Sequence, residues 1–215
     1  MRIKSKIIFA IGIMPSCSLK NLFLRLLGWE VDKSASIGVN IFWNVSDVYI
    51  AHGVSIGSLN VFRDLKHVYF ESDSSLGNLN WISASSVLGD LGAASSIKLG
   101  KQSVVTNRHY LDVSGGLSIG MGSALTGVRS TVITHGVNYL SSDQETRTVT
   151  IGRNSLIGSN AVIAPGTKVG DFQVFGMGSL ISGVYSNSFE LHLSKKAIPA
   201  RAIPLYSKFF SVSDD

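Results

Sequence analysis

Cysteine, proline and charge are all scarce in this chain. Its 215 residues include one cysteine, Cys17, and four prolines. A single thiol cannot form an internal disulfide and fits a reducing compartment, so we expect a cytoplasmic protein. Charged residues make up 15% of the chain, with a net charge of +5. They do not form the basic stripe with interleaved aromatics of nucleic-acid-binding surfaces, so we expect no nucleic-acid partner.

The N-terminus has only a short apolar run, over residues 7–14. It is shorter than the roughly 20 apolar residues that cross a bilayer. No small-residue cleavage site of a secreted protein follows it. We therefore expect this run to stay in the mature protein.

A period of six residues runs through residues 151–186, which read IGRNSL, IGSNAV, IAPGTK, VGDFQV, FGMGSL and ISGVYS. The first place is always apolar, the second is glycine or another small residue, and the fifth is mostly small. Neither an amphipathic helix nor an alternating strand has this period, and the Asn-Gly turns of a β-sandwich are missing. A prism of short strands does have it, because one apolar side chain per six points inward and glycine suits the corners. The repeat predicts an all-β solenoid.

The repeat also divides the chain into segments. We expect an N-terminal helical segment over residues 1–30, the solenoid over residues 31–186 and a C-terminal segment over residues 187–215. The six-residue pattern is less regular between residues 58 and 96, where we expect irregular coils and no separate domain. The pattern breaks again at residues 134–147, THGVNYLSSDQETR, which are polar. An insertion of this kind must leave the prism, so we predict an extruded loop around 135–148.

An apolar stripe at helical spacing marks the end of the N-terminal segment. It consists of Leu19, Leu22, Phe23, Leu26 and Leu27. Ser18 can cap the start of this helix and Gly28 its end. We expect the stripe to pack on the solenoid or on a neighbouring subunit, with the polar residues Lys20, Asn21 and Arg25 on the other side. In the alternative, the helix lies on an anionic membrane and holds the protein at its inner face.

The hexapeptide pattern resembles that of the left-handed β-helix, hexapeptide-repeat acyltransferases. This resemblance implies a left-handed parallel β-helix and a homotrimer. Residues 132–136, VITHG, the polar loop and residues 149–152, VTIG, are similar to the active-site region of the maltose- and galactoside-type sugar O-acetyltransferases. That similarity covers roughly residues 100–204. It implies transfer of an acetyl group from acetyl-CoA to a sugar hydroxyl, in bacterial polysaccharide biosynthesis and without a metal.

The resemblance also implies catalytic residues. His135 takes the place of the family's catalytic histidine, and Asn107 that of its active-site asparagine. A sugar hydroxyl needs a general base to attack a thioester, and the oxyanion that forms needs hydrogen-bond donors. His109 is the competing histidine, and Asp112 can orient its ring. For His109 and Asp112 we expect an acceptor-binding or assisting role.

Coenzyme A would bind along the later coils, in a groove between subunits. The residues that match the family's contacts are Ser159, Gly176, Met177, Gly178, Ser182 and Arg201, with Lys168 adding charge. The chain departs from the family at Gly183, where relatives often have a basic residue, and at Leu156, where they often have an aromatic one. Lys195 or Lys196 would then meet the phosphates.

Three other functions are weighed against this one. A γ-class carbonic anhydrase has a similar solenoid but holds zinc with three histidines, two of them close in sequence, and His135 has no such neighbour. A non-catalytic β-helix, serving as a scaffold or oligomerisation protein, stays open. N-acetyl transfer to an amino sugar also stays open, since the same base and donor would serve.

Overall fold

Short parallel strands wind through most of the chain in the computed structural model, which describes residues 3–90 and 95–194. Within these residues the helices are α1 (Ile3–Gly12), α2 (Ser18–Leu26) and α3 (Ser86–Asp90). In the first half of the chain the strands are β1 (Glu30–Val31), β2 (Ser36–Ile37), β3 (Ile41–Ile50), β4 (Ser55–Ile56), β5 (Val61–Phe70), β6 (Ser75–Leu76), β7 (Trp81–Ser83), β8 (Ser96–Leu99) and β9 (Val104–Asn107). Next come β10 (Tyr110–Asp112), β11 (Leu117–Ile119), β12 (Ala124–Val128), β13 (Thr131–Val132), β14 (His135–Val137), β15 (Gln144–Thr146) and β16 (Val149–Ile151). The last are β17 (Leu156–Ile157), β18 (Val162–Ile163), β19 (Lys168–Val169), β20 (Gln173–Phe175), β21 (Leu180–Ile181), β22 (Val184–Tyr185) and β23 (Glu190–His192).

The chain visits three parallel ladders in rotation, which makes a three-sided prism. The first face contains β2, β4, β6, β9, β12, β17, β20 and β23. The second contains the first halves of β3 and β5, followed by β7, β10, β13, β18 and β21. The third contains β1, the second halves of β3 and β5, and then β8, β11, β16, β19 and β22. The predicted parallel β-helix is thus confirmed.

The core is a column of apolar side chains inside the prism. The first residue of each six points inward, and Ile157, Ile163 and Ile181 are all 0% exposed. Their counterparts in earlier coils, such as Leu111, Leu125 and Val132, are buried to the same degree. Each coil therefore covers its neighbour, as the period of six requires.

The first coils are more regular than expected. β3 and β5 each run over two faces and pass the corner at Asn44 and Asp64, whose φ angles of 52° and 58° lie in a region that these residue types tolerate. At another corner, Asn60 donates to the Oδ1 of Asn40 over 2.9 Å, and Asn80 repeats the bond one coil on. The asparagines of this buried ladder are 20 residues apart, and a spacing of 20 is not part of the six-residue pattern. Residues 84–90, which include α3, leave the regular path.

The solenoid also extends past the expected end at residue 186. β23 pairs in parallel with β20, so a further strand lies on the first face. The expected extrusion at residues 135–148 is confirmed, since β14 and β15 form an antiparallel hairpin outside the prism. Arg201, Lys195 and Lys196 lie outside the described residues.

The two N-terminal helices close the open end of the prism, but α2 has only part of its expected orientation, since Phe23 and Leu27 alone of its apolar stripe pack against the core. Lys20 is 0% exposed and Asn21 is 4% exposed, whereas the stripe residues Leu19, Leu22 and Leu26 face outward. The physical reason lies at the end of the solenoid, where backbone carbonyls of the first coil, and those at the end of α1 and in the turn after it, need hydrogen-bond donors. Lys20 Nζ donates to the carbonyls of Gly12, Met14 and Gly38 at 2.8, 2.9 and 2.6 Å. Asn21 donates to the Ala35 carbonyl at 2.7 Å.

Apolar side chains on the inner side of the helices complete this cap. Ile8, Ile11, Leu24 and Trp29 belong to the buried core, and Trp29 packs edge-on against Phe42. The helix α2 ends as expected at Gly28, whose φ is 89°. Its N-cap is Cys17 and not Ser18. Across the described residues, no helix has the length and apolar character needed to cross a membrane.

Candidate active site

His135 lies where the chain leaves the second face and enters the hairpin. It follows β13 and pairs with Thr146 across the hairpin. The root of the hairpin packs tightly on the coil before it, because a Cβ at Gly115 would come within 2.6 Å of the Thr134 carbonyl oxygen. The side chain of His135 itself is partly exposed. A rigid corner thus holds an imidazole that reaches the surface.

Asp112 fixes the orientation of this imidazole. Its Oδ2 lies 2.8 Å from Nδ1 of His135 and accepts the Thr134 N–H at 2.8 Å. Its Oδ1 accepts the Ser114 hydroxyl at 2.6 Å. The Asp112 side chain is 5% exposed, while that of His135 is 39% exposed. The carboxylate is therefore buried under the ring, and the ring itself reaches the surface.

The charge on Asp112 decides which ring nitrogen of His135 carries the proton. Burial works to raise the pKa of Asp112, but hydrogen bonds from Ser114, Thr134 and His135 outweigh it and hold that pKa below its ordinary value. An ionised carboxylate only accepts, so Nδ1 of His135 must donate. In the neutral ring, Nε2 then has a free lone pair, and within residues 3–90 and 95–194 nothing hydrogen-bonds to it. This arrangement is that of a general base.

His109 has a different place from the one expected. Its ring is 2% exposed, and both nitrogens are occupied: Ser130 N–H donates to Nδ1 at 3.1 Å, and Nε2 lies 3.0 Å from Thr106 Oγ1. Its backbone N–H donates to Asn80, which makes His109 the next rung of the asparagine ladder. The structure thus corrects two expectations, because Asp112 orients His135 and not His109, and His109 has no ring nitrogen left for an acceptor.

This burial makes His109 a source of acid sensitivity. Burial lowers the pKa of His109 to about 4, so the folded chain keeps the ring neutral while the unfolded chain protonates it below about 6.5. Stability from this group is complete above pH 6.5 and is lost as the pH falls towards 4. We expect the free energy of unfolding to be about 2 kcal/mol lower at pH 5 than at pH 7.5 from this residue.

The substitution His109→Asn tests this expectation, since asparagine continues the ladder without a titrating ring. Urea unfolding at the two pH values should show the loss in the wild type and in His67→Asn, which removes an exposed histidine. The His109→Asn variant should unfold with the same free energy at both pH values as far as this group is concerned. An equal pH dependence in all three proteins would contradict the assignment.

Asn107 does not meet His135 within the chain. It lies at the corner before β10, whereas His135 follows β13 at the corner where the second face ends. The Oδ1 of Asn107 accepts the Asn78 N–H at 2.7 Å. Asn107 therefore bonds to the preceding coil at the corner between the first and second faces. The expected sharing of one site by these two residues therefore does not hold inside a single chain.

Most of the described residues that were expected to contact coenzyme A lie at the same two corners. Ser159, Gly176, Met177 and Gly178 stack on the corner of Asn107, where Met177 is 73% exposed. Ser182 lies on the corner of His135, two coils further on, which corresponds to about 10 Å along the prism. Lys168 follows on the third face. The chain thus presents two separate sets of candidate contacts, with Lys168 apart from both.

The remaining histidines do not form a site. His52 and His67 are exposed and lie near Asp32 and Asp47, and His192 stacks on Phe175. No group of three or more His, Cys, Asp or Glu side chains with metal-binding geometry occurs in the described parts of the chain.

The Asp112–His135 pair was missed from the sequence, although a signal for it exists. Leu111 and Val132 both occupy the inward position of their coil and are register partners. Aligning them places Asp112 beside Ile133, next to the corner from which His135 projects. The spacing of inward residues, and not closeness in sequence to His109, identifies the partner of Asp112.

Comparisons with known proteins find only distant similarity. No protein-family model matches, and no curated protein matches. Two solved structures of AntD, an N-acyltransferase from Bacillus cereus, are similar at 13% sequence identity and a TM-score of 0.43. One, a serine-to-alanine mutant with dTDP-4-amino-4,6-dideoxyglucose and coenzyme A, matches over 88% of this chain and 89% of its own. The other, an aspartate-to-alanine mutant with dTDP and coenzyme A, matches over 89% and 91%. Similarity this distant does not say which reaction this chain performs.

Proposed function

We propose that this protein is an acetyl-CoA-dependent O-acetyltransferase that acts on a sugar hydroxyl, with His135 as its general base. The observation that carries the proposal is the Asp112–His135 pair, in which Nδ1 is held at 2.8 Å from a buried carboxylate while the ring is partly exposed. A buried carboxylate that anchors an exposed imidazole has little use as a surface ion pair, which contributes at most about 1 kcal/mol. It does keep a base in one tautomer and one orientation.

The reaction proceeds by direct transfer. Nε2 of His135 takes the proton of the acceptor hydroxyl as its oxygen attacks the thioester carbonyl. The tetrahedral intermediate collapses, the carbon–sulfur bond breaks, and the coenzyme A thiolate leaves. The imidazolium returns the proton to this thiolate, so the enzyme ends in its starting state. Cys17, an exposed residue before α2, takes no part as an acyl carrier.

A homotrimer would bring the two sets of candidate contacts together. If the subunits pack side by side, the His135 corner of one subunit faces the Asn107 corner of its neighbour. Coenzyme A would then lie along the shared groove, between Ser182 on one side and Met177 on the other. Exposed apolar side chains on the second face support such packing, namely Ile41, Trp81, Tyr110, Val162 and Leu180.

We further propose that the acceptor belongs to polysaccharide biosynthesis and that the protein works in the cytoplasm, at the inner face of the membrane. Both proposals rest on the resemblance of residues 132–152 to the sugar O-acetyltransferases and on the basic, apolar N-terminal segment.

The test is a transfer assay with acetyl-CoA against a panel of glycans, corrected for hydrolysis, with mass spectrometry to locate the acetyl group. We expect an ester on a sugar hydroxyl and heat of binding when acetyl-CoA is titrated into the protein. An amide formed on amino sugars alone would replace O-transfer by N-transfer. No heat of binding would favour a non-catalytic scaffold.

A further inference from the structure

The outer surface of the N-terminal cap is apolar, contrary to what the end of a solenoid requires. Terminal units of repeat proteins normally need a polar outer face to stay soluble. Here six large aliphatic side chains of the two helices and the turn between them are exposed: Ile3 78%, Ile7 43%, Ile13 50%, Leu19 50%, Leu22 42% and Leu26 73%. We call these six residues the cap surface.

The orientation of α2 shows that this exposure is a property of the fold. Its polar residues Lys20 and Asn21 are turned inward and bonded to backbone carbonyls, so the leucines cannot turn inward without breaking four hydrogen bonds. α1 is apolar on both sides, because Ile8 and Ile11 pack on the core while Ile3 and Ile7 face outward. A cluster of exposed large aliphatic side chains commonly marks a contact with a partner or a membrane. The cap surface is therefore a candidate contact surface.

Charge indicates what covers it. The first 29 residues contain the basic residues Arg2, Lys4, Lys6, Lys20 and Arg25, and no Asp or Glu. Lys4 and Lys6 are exposed on α1, and Arg25 bonds to the Val31 carbonyl at 3.2 Å. An end-to-end contact with a second copy would bring the exposed Lys4 and Lys6 of the two copies towards each other. An anionic lipid surface matches both the aliphatic side chains and the basic charge.

We propose that the cap surface binds anionic lipid bilayers and holds the prism on the membrane by its N-terminal end. The aliphatic side chains enter the boundary between headgroups and acyl chains, while Lys4 and Lys6 meet lipid phosphates. Membrane binding does not depend on the transferase activity, so an experiment can reject one of the two proposals and leave the other standing.

Vesicle sedimentation of the full-length protein tests the proposal. Vesicles of phosphatidylcholine and phosphatidylglycerol in equal parts should bind the wild type, and binding should weaken as salt is raised. Leu22→Gln with Leu26→Gln should lower the partition coefficient by at least about tenfold, because two exposed aliphatic side chains are removed from the contact. Lys6→Gln should lower it about fivefold on anionic vesicles and leave binding to pure phosphatidylcholine unchanged.

A matched control uses two leucines at the other end of the prism. Leu191→Gln with Leu193→Gln removes side chains that are 63% and 72% exposed, and it should bind vesicles like the wild type. Equal binding by the cap variant and the wild type would overturn the proposal, as would a wild type that does not sediment with anionic vesicles. Light scattering without lipid gives a third readout. A particle mass that halves in the cap variant would assign the surface to a second copy and overturn the proposal as well.

Discussion

Replacing His135 by alanine should lower the turnover number of acetyl transfer by about 10²–10⁴-fold, the usual contribution of a general base. The change removes the ring nitrogen that takes the hydroxyl proton, but it leaves the prism intact. Asp112 keeps its hydrogen bonds from Ser114 and Thr134, so both of its carboxylate oxygens remain hydrogen-bonded. Turnover is measured as the initial rate of ester formation with saturating acetyl-CoA.

Two measurements separate a missing base from a damaged fold. Circular dichroism and the melting temperature of His135→Ala should match those of the wild type, and added imidazole should restore part of the rate. His67→Ala is the matched control, because His67 also pairs with a carboxylate, Asp47 at 3.2 Å, but lies exposed on the third face. Near-wild-type turnover in His135→Ala would reject the assignment of the base.

Replacing Asp112 by asparagine should cost a similar factor in turnover, although Asp112 does not touch the acceptor. Asp112 is a positioning residue, and its carboxylate keeps the proton of His135 on Nδ1. An amide NH₂ in that place would favour the opposite tautomer, with the proton on Nε2, and a protonated Nε2 cannot act as a base. The loss of a comparable buried carboxylate behind a catalytic histidine costs about 10⁴-fold in a serine protease.

The tautomer provides a readout that a purely structural role would not change. Nitrogen NMR of the histidine rings should show the His135 proton on Nδ1 in the wild type and on Nε2 in Asp112→Asn. The KM for acetyl-CoA should stay constant, and the protein should lose about 1–3 kcal/mol of stability because Ser114 and Thr134 donate to the same carboxylate. The control Asp47→Asn disturbs the exposed pair with His67 and should leave turnover unchanged. An unchanged His135 tautomer together with a full loss of rate would contradict the positioning role.

The β-helix and its hairpin could be predicted because they depend on local and periodic features. An inward apolar residue every six positions allows only a packing in which coils stack on each other, and Ile157, Ile163 and Ile181 lie where that argument puts them. The polar break at residues 134–147 contains no inward residue, so it had to leave the prism. These inferences need neither contacts between distant residues nor the identity of partners.

The site could be predicted only in part. His135 was singled out by its place at the foot of the hairpin, but its partner was assigned to the wrong histidine. Asp112 is three residues from His109 and 23 from His135, yet one coil of the prism brings the distant pair into contact at 2.8 Å. Sequence distance and spatial distance differ in a solenoid because each turn returns the chain to the same corner.

The amino-acid sequence by itself determined that this protein is a stack of parallel coils with an extruded hairpin, since the alternation of apolar and small residues permits no other regular packing. Only the tertiary structure decided which groups meet at the corners and which side of the cap faces outward. Those outcomes depend on where unpaired backbone carbonyls and buried donors lie. At the open end of the prism, hydrogen bonding to Lys20 and Asn21 outweighs the burial of Leu19, Leu22 and Leu26. At the corner that follows the second face, the register of β10 and β13 places the carboxylate of Asp112 next to His135.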